Sequence, residues 1–170
     1  NANNSDELSI SKLEKVSVSD IKKVWGYAKK GSHLEINKYK GFGGVVEIPA
    51  VIGKYPVKSI DTDAFKDCEI ITDITIPETV EWIGTSAFEG CKNLETVTVL
   101  GDKISLGTSA FRDCVKLRTI VLPLEQTQMS NHVFAGCKEL IDEEGFIILE
   151  QNGYKVLCGL DRKSTRLNSS

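Results

Sequence analysis

The chain has 170 residues, of which 41% are hydrophobic and 26% charged, and its formal net charge is −3. This length and composition are typical of one globular domain with its own hydrophobic core. The slightly acidic balance argues against a non-specific nucleic-acid binder, which needs a basic face. No apolar run approaches the roughly 20 residues of a membrane-spanning helix, and no N-terminal stretch has the layout of a secretion signal.

The N-terminal part of the chain allows more than one local structure. Residues 1–24 are a lead-in, of which residues 1–5 are polar and expected to be disordered, while residues 6–24 form either a short helix or an irregular segment. Two structures fit the residues that follow. One is a β-hairpin of residues 25–28 with 33–38, in which Gly31 takes a left-handed turn position. The other is a helix over residues 20–30 that ends at Gly31.

From Val45 to Leu140 the sequence repeats itself with a period of 23 residues. Four columns of apolar residues keep this step through four copies, and three further columns keep it through three. The four-copy columns are Phe65, Phe88, Phe111 and Phe134; Cys68, Cys91, Cys114 and Cys137; Ile71, Leu94, Leu117 and Leu140; and Ile60, Ile83, Leu106 and Met129. A fixed period of this length is the signature of a stacked-repeat solenoid.

Each repeat contains a short strand and a turn segment. In the strand, Ile74 and Ile76 alternate with Asp73 and Thr75, so we predict that the isoleucines point inward and the polar residues outward. The Thr-Ser-Ala-Phe-x-x-Cys portion fits one helical or 3₁₀ turn with a Ser/Thr start. One such unit cannot bury its own apolar face, so the copies must stack into a coil with a parallel strand ladder. The predicted fold class is a β-rich α/β solenoid.

The C-terminal part contains a second predicted hairpin and an unusual tail. Residues 146–150 and 154–158 form the hairpin about Asn152-Gly153. Residues 161–170 look like the translation of a widely used sequencing-adapter oligonucleotide, so we interpret them as non-native and exclude them from the fold; an ordinary polar tail is the alternative. We therefore expect the natural chain to continue past Leu160.

These motifs resemble a known family. Leu94-x-x-Val97-x-Val99 matches the leucine-rich-repeat core, and the Ala-Phe-x-x-Cys and Ile-Pro elements resemble the BspA-type repeats of bacterial surface antigens. Residues 25–44 look like that family's N-terminal cap, residues 45–140 like its repeats, and residues 141–160 like its C-terminal hairpin. The resemblance favours the hairpin over the helix after residue 24. The sequence departs from the family pattern at residues 100–103, at Met129-Ser130 and at Val133, which makes the third and fourth coils less regular.

The cysteines invite a chemical interpretation, but their spacing argues against it. Metal sites need close pairs such as Cys-x-x-Cys, whereas the nearest pair here, Cys137 and Cys158, is 21 residues apart. We predict buried free thiols, with disulfides between coils or a metal site as the alternatives. Cys158 lies outside the column, and we expect it to be the most exposed cysteine.

No constellation for catalysis, cofactor binding or metal binding is predicted. The two histidines, His33 and His132, lie far apart in sequence, and we expect a surface histidine at position 132 rather than a Cys-His pair with Cys114 or Cys137. The glycines of residues 41–44 lack the lysine and the helix of a phosphate-binding loop.

The family resemblance implies a binding surface on the outward, concave side of the strand ladder. In this chain the outward positions are Val45, Glu47, Asp73, Thr75, Thr96, Thr98, Thr119 and Val121. Five strands about 4.8 Å apart make a ladder about 20 Å wide. Threonine is also a good strand residue without any ligand, so the composition alone does not require binding.

Two functions remain open. The first is a protein–protein interaction module of a secreted or cell-surface bacterial protein, since the family resemblance implies adhesion or host-protein binding. The second is a structural spacer or accessory repeat array in a larger surface protein, whose function resides in another domain. A nucleic-acid partner and an enzymatic activity are not expected.

Overall fold

The computed structural model describes residues 18–141, 147–151 and 154–158. These residues form a solenoid of stacked coils. Two sheets of mainly parallel strands face each other across one core. The predicted solenoid is therefore confirmed. The interpretations of residues 1–17 and of the tail at 161–170 lie outside the described residues.

One sheet contains the predicted strand of each repeat, and we call it the ladder sheet. Its strands, in spatial order, are β3 (Gly44–Glu47), β6 (Ile71–Ile76), β8 (Thr96–Val99), β10 (Thr119–Val121), β12 (Ile147–Gln151) and β13 (Tyr154–Cys158). The first five are parallel, and β13 is antiparallel to β12. From β6 to β8 and from β8 to β10 the pairing advances by one 23-residue repeat, so the alternation of inward and outward residues continues across these strands.

A second sheet lies on the opposite side of the coil, and we call it the back sheet. The one-strand repeat predicted above is wrong in this respect, because each coil holds two strands. The back sheet runs in the order β1 (Trp25–Lys30), β2 (His33–Tyr39), β5 (Tyr55–Ile60), β7 (Trp82–Ile83), β9 (Ile104–Leu106) and β11 (Thr127–Met129), with β4 (Val51–Ile52) paired to β5. Its strands pass through the column of Ile60, Ile83, Leu106 and Met129.

The segments that join the back sheet to the ladder sheet are stacked turns and not the predicted helical or 3₁₀ turn. We call residues 61–68, 84–91, 107–114 and 130–137 the turn segments. Residues with positive φ, such as Ser86 at 54° and Ser109 at 57°, interrupt helical geometry. The amide of Phe65 donates to the carbonyl of Ala87 in the next coil at 2.7 Å, and that of Phe88 to Ala110 at 2.8 Å. The turn segments are therefore held from coil to coil like strands.

An aromatic column runs through the core along the coil axis. The rings of Phe65, Phe88 and Phe111 stack with centroids 4.6 Å and 5.0 Å apart, and all three are almost completely buried. Tyr39 and Trp25 continue the column beyond the first repeat, with Tyr39 stacked on Phe65 at 5.5 Å. The N-terminal cap thus supplies its own aromatic residues where phenylalanines of further repeats would stand.

A hairpin flanks the repeats at each end, as predicted. Strand β1 pairs with β2, and β12 pairs with β13, both antiparallel. A short helix, α1 (Val18–Val24), precedes the first hairpin. The alternative helix over residues 20–30 does not form, because β1 pairs with β2, which buries Leu34 and Ile36. The turn at Asn152-Gly153 and the side chain of Cys158 lie outside the described residues.

A candidate interaction face on the ladder sheet

The eight predicted face residues lie on the outward side of the ladder sheet, in two straight rows. The sequence predicted which residues face outward, and the pairing register between adjacent strands determines how these residues line up. One row is Val45, Asp73, Thr96 and Thr119, and the other is Glu47, Thr75, Thr98 and Val121. Each member lies directly opposite its neighbour, so its side chain is one strand spacing away, about 4.8 Å.

The inward neighbours of the rows fill the core, whereas the rows themselves remain accessible. Ile74, Val97 and Ile120 have relative exposures of 1% or less, and Val45 reaches 73%. The threonines are half-buried between their neighbours on the adjacent strands. The face residues on β6, β8 and β10 are therefore exposed to a similar, intermediate degree.

Only two of the eight residues are charged, and both carboxylates lie towards the N-terminal edge. Glu47 is on β3 and exposed, and Asp73 is on the adjacent β6. Asp73 accepts a hydrogen bond of 2.8 Å from the hydroxyl of Thr72, which holds its carboxylate in place. The rest of the face presents hydroxyls and methyl groups, so its electrostatic pattern is an acidic end followed by a neutral stretch.

A line of charged and polar residues borders the face, and the sequence interpretation passed over it. The Lys92 ammonium lies 2.7 Å from the Glu69 carboxylate, and this hydrogen bond raises the pKa of Lys92 above its ordinary value. Arg118 pairs with Glu95, one coil earlier in the chain. The signal available in the sequence was the 23-residue step between opposite charges, which stacking turns into neighbours. These exposed pairs contribute little stability, but each of these charged side chains at the border of the face is paired with an opposite charge of the same chain.

The cysteine column has a structural role that spacing alone did not indicate. The thiols of Cys91 and Cys114 are fully buried and donate to the carbonyls of Phe65 and Phe88, each at 3.1 Å; Cys137 repeats the contact to Phe111 at 3.0 Å. Interaction with the neighbouring thiols, then burial, raises the pKa of Cys114 far above its usual range. Four cysteines of the column are free thiols, so the predicted buried thiols are confirmed for three, while Cys68 is only half-buried.

The other chemistry-bearing residues do not converge. His132 is exposed, whereas the Cys137 thiol is buried against a carbonyl. Among the described residues, no group of three or more His, Cys, Asp and Glu side chains is arranged to hold a metal ion. A groove of about 450 Å³ lies beside Tyr39 and Phe65, and one of about 240 Å³ beside Glu81 and Gln128. Both are away from the two rows.

The part of the chain that the structure describes contains no helix long and apolar enough to cross a membrane. The longest described helix, α1, has 7 residues.

Comparison with known proteins places the fold among bacterial repeat proteins. The family model described as "BspA type Leucine rich repeat region" matches residues 32–144 in six copies. No curated protein sequence matches the chain. A leucine-rich-repeat protein of T. pallidum is 25% identical, with a TM-score of 0.53 over 70% of this chain and 67% of the other. A leucine-rich-repeat protein of Bacteroides capillosus, 22% identical, gives a TM-score of 0.63 over 77% of this chain and 96% of the other.

A third solved structure carries a description of its location. It is a leucine-rich cell surface protein of Faecalibacterium prausnitzii, 28% identical, with a TM-score of 0.58 over 75% of this chain. The present chain spans 39% of that protein's length.

Proposed function

Because this chain belongs to the BspA-type leucine-rich-repeat family, we propose that it is a protein-interaction module of a secreted or cell-surface bacterial protein and binds its partner on the ladder face. The observation that supports the proposal most directly is the pair of straight rows. Eight outward residues stand in register on one sheet, and no hydrogen bond or ion pair within the described residues joins one of them to another.

The chemistry of the face indicates what kind of partner it fits. The central threonines, Thr75 and Thr98 in one row and Thr96 in the other, offer hydroxyls and methyl groups to a complementary surface of mixed polarity. Glu47 and Asp73 add negative charge at one end. A protein surface with a neutral centre and a basic side chain at one edge therefore matches this face. Because a standard interface needs about 800 Å² per partner, we expect a weak complex, with further contacts outside the two rows.

The proposal is tested by charge insertion in the middle of the face. The wild-type chain is first screened against a panel of purified extracellular-matrix and serum proteins by biolayer interferometry. The double variant Thr75→Arg/Thr98→Arg places two long cations side by side where β6 and β8 pair. For any protein that binds the wild type, we expect the affinity to fall by more than about tenfold, since a desolvated, unpaired charge costs at least about 1.4 kcal/mol.

The matched control uses threonines at the same 23-residue step on another side of the coil. Thr85 and Thr108 are the second residues of two turn segments and are exposed. The variant Thr85→Arg/Thr108→Arg makes the same chemical change and should bind like the wild type. Equal binding by both folded double variants would move the site off the ladder face. Binding to no member of the panel would favour the alternative of a structural spacer in a larger surface protein.

A further inference from the structure

The two ends of the described coil are oblique, because each hairpin extends only one of the two sheets. At the N-terminal end, β1 and β2 extend the back sheet by two strands beyond β5, while the ladder sheet begins at β3, level with β5. At the C-terminal end, β12 and β13 extend the ladder sheet by two strands beyond β10, while the back sheet stops at β11. Each end therefore has a two-strand projection on one side and a two-strand step on the other.

These two ends are complementary in shape. Each sheet has six strands along its path, and the two paths are offset by two strands. A second copy translated by six strand spacings, about 29 Å, would place its β1–β2 hairpin in the step above β11 and its β3 against β13. Both new contacts would be antiparallel, since β1 runs opposite to the back strands and β13 runs opposite to the ladder strands.

From this fit we propose that the chain associates head to tail, with β1 of one copy adding to β11 of the next and β13 adding to β3. This interaction goes beyond the proposed ligand binding and uses the strand edges at the two ends of the coil; of the eight face residues, only Val45 and Glu47 lie on one of these edge strands, β3. It is a heterologous contact, so it forms open arrays and not a closed pair.

The open strand edges supply hydrogen-bonding groups for this contact. Within the described residues, no strand pairs with β3 on its outer side or with β11 on its outer side. The amide of Ile48 donates to the carbonyl of Thr75 on the neighbouring strand β6, so the amide of Glu47 points to the open edge of β3. In the same way, the amide of Ser130 donates to the carbonyl of Leu106, so the amide of Met129 points to the open edge of β11. Phe42 and Val45 beside the β3 edge are highly exposed, at 104% and 73%, which an added strand would cover.

Charge also matches at the new back-sheet contact. Leu34 pairs with both Lys29 and Val57, and the 23-residue step carries the column of Val57 on to Gln126 in the last coil. The adjacent Lys30 therefore falls in the column of Glu125. Both side chains are exposed. Lys30 pairs with Glu35 of its own chain at 3.3 Å, and in the array the Glu125 carboxylate of the next copy would lie near the same ammonium.

Sedimentation equilibrium of the full chain over a hundredfold range of concentration tests the association. We expect an average mass that rises with concentration past that of two chains. A mass that stays at one chain, or that stops at two, would overturn the head-to-tail assignment.

Charge reversal then tests which surfaces meet. Glu125→Lys should weaken association by about two- to fivefold, through repulsion by Lys30. Asp102→Lys is the matched control, because Asp102 is exposed in the same column one coil further in, and it should associate like the wild type. Lys30→Glu alone should also weaken association, and an equimolar mixture of Lys30→Glu with Glu125→Lys should regain it. Equal effects of Glu125→Lys and Asp102→Lys, or no recovery in the mixture of folded variants, would overturn the proposed contact.

Discussion

The ladder sheet and the back sheet are built on the same 23-residue step, but their outward faces differ. On the back sheet, Glu81 accepts from Lys58 at 2.7 Å and pairs with Lys103 at 3.1 Å, so one carboxylate joins three coils. On the ladder sheet, Thr75 lies opposite Thr98 and Thr96 opposite Thr119 without any such bond among the described residues. The back face satisfies its own polar groups, while the ladder face leaves hydroxyls available to a partner.

This difference shows that repetition alone does not define a binding surface. Stacking places every residue beside its equivalent one repeat away, so the side chain chosen decides whether neighbours bind each other or remain free. Opposite charges at a 23-residue step, as in Lys58 and Glu81, pair between coils. Like residues at that step, as in the threonine pairs, carry no opposite charges, and among the described residues no hydrogen bond joins them, so they form a uniform row.

The largest expected effect comes from removing the core that both sheets share. Phe88 is fully buried and stacked between Phe65 and Phe111. We expect Phe88→Ala to lower the free energy of unfolding by about 3–5 kcal/mol, through lost burial and the cavity left behind. Urea titration followed by circular dichroism measures the loss. Native-state hydrogen exchange should show that β7 and β8 lose amide protection together; loss in only one sheet would mean that the two sheets are not one cooperative unit.

The next largest effect concerns the thiol column between the sheets. Cys114→Ala removes a buried sulfur and its hydrogen bond to the Phe88 carbonyl, which still accepts from the amide of Cys91. We expect a loss of about 1–2 kcal/mol in unfolding free energy. Cys68→Ala is the control, since Cys68 is half-buried and its thiol donates to no carbonyl within the described residues. Its loss should be clearly smaller, and equal losses would show that the carbonyl contact contributes nothing.

The repeat strands of the ladder sheet were predictable from the sequence, whereas the repeat strands of the back sheet, β5, β7, β9 and β11, were not, for a physical reason. Strand β6 has alternating half-buried and buried residues over 73–76, which is long enough to show a period of two. Strand β7 has only two residues, Trp82–Ile83, so no alternation can be seen. Strand β7 forms by pairing with strands one repeat away, and the β propensity of its own two residues does not indicate this pairing.

The turn segments and the cysteine contacts escaped prediction because both depend on neighbours in other coils. Positive φ at Ser86 and Ser109 is unusual for serine, and the bonds to the next coil that hold it are not visible in a single repeat. The contact from Cys91 to Phe65 spans 26 residues, three more than the period. The face residues, by contrast, were predictable because alternation alone decides which side of a strand is outward.

A smaller effect should separate binding from stability on the ladder face. Thr75→Arg/Thr98→Arg changes side chains that are outside the core, so the only stability cost we expect is repulsion between the two opposed cations, less than about 1 kcal/mol. Thermal unfolding measures it, beside Thr85→Arg/Thr108→Arg as the control. A much larger loss would mean that the threonine rows stabilise the coil, and this would weaken their assignment to a ligand.

The smallest effect belongs to the back face and depends on pH. Hydrogen bonds from Lys58, and then from Lys103, hold the pKa of Glu81 below its ordinary value of 4.5. A carboxyl whose pKa is lowered in the folded state stabilises the fold above the unfolded-state pKa, and this stabilisation is lost as the pH falls through the folded-state pKa. Glu81→Gln should therefore be slightly less stable than the wild type at pH 7, and the difference should be lost as the pH falls through the lowered folded-state pKa of Glu81. Because the pair is exposed, the difference at pH 7 should also shrink in 1 M salt.

Thermal unfolding of Glu81→Gln and wild type at pH 7 and pH 3 measures this difference directly. Glu78→Gln is the matched control, since Glu78 is an exposed carboxylate three positions earlier with no ion pair in the described part of the chain. It should follow the wild type at both pH values. If Glu81→Gln and Glu78→Gln behave alike, the ion pairs between coils add no stability to the back face. The two faces would then differ in how their side chains are arranged, but not in the stability that these side chains contribute.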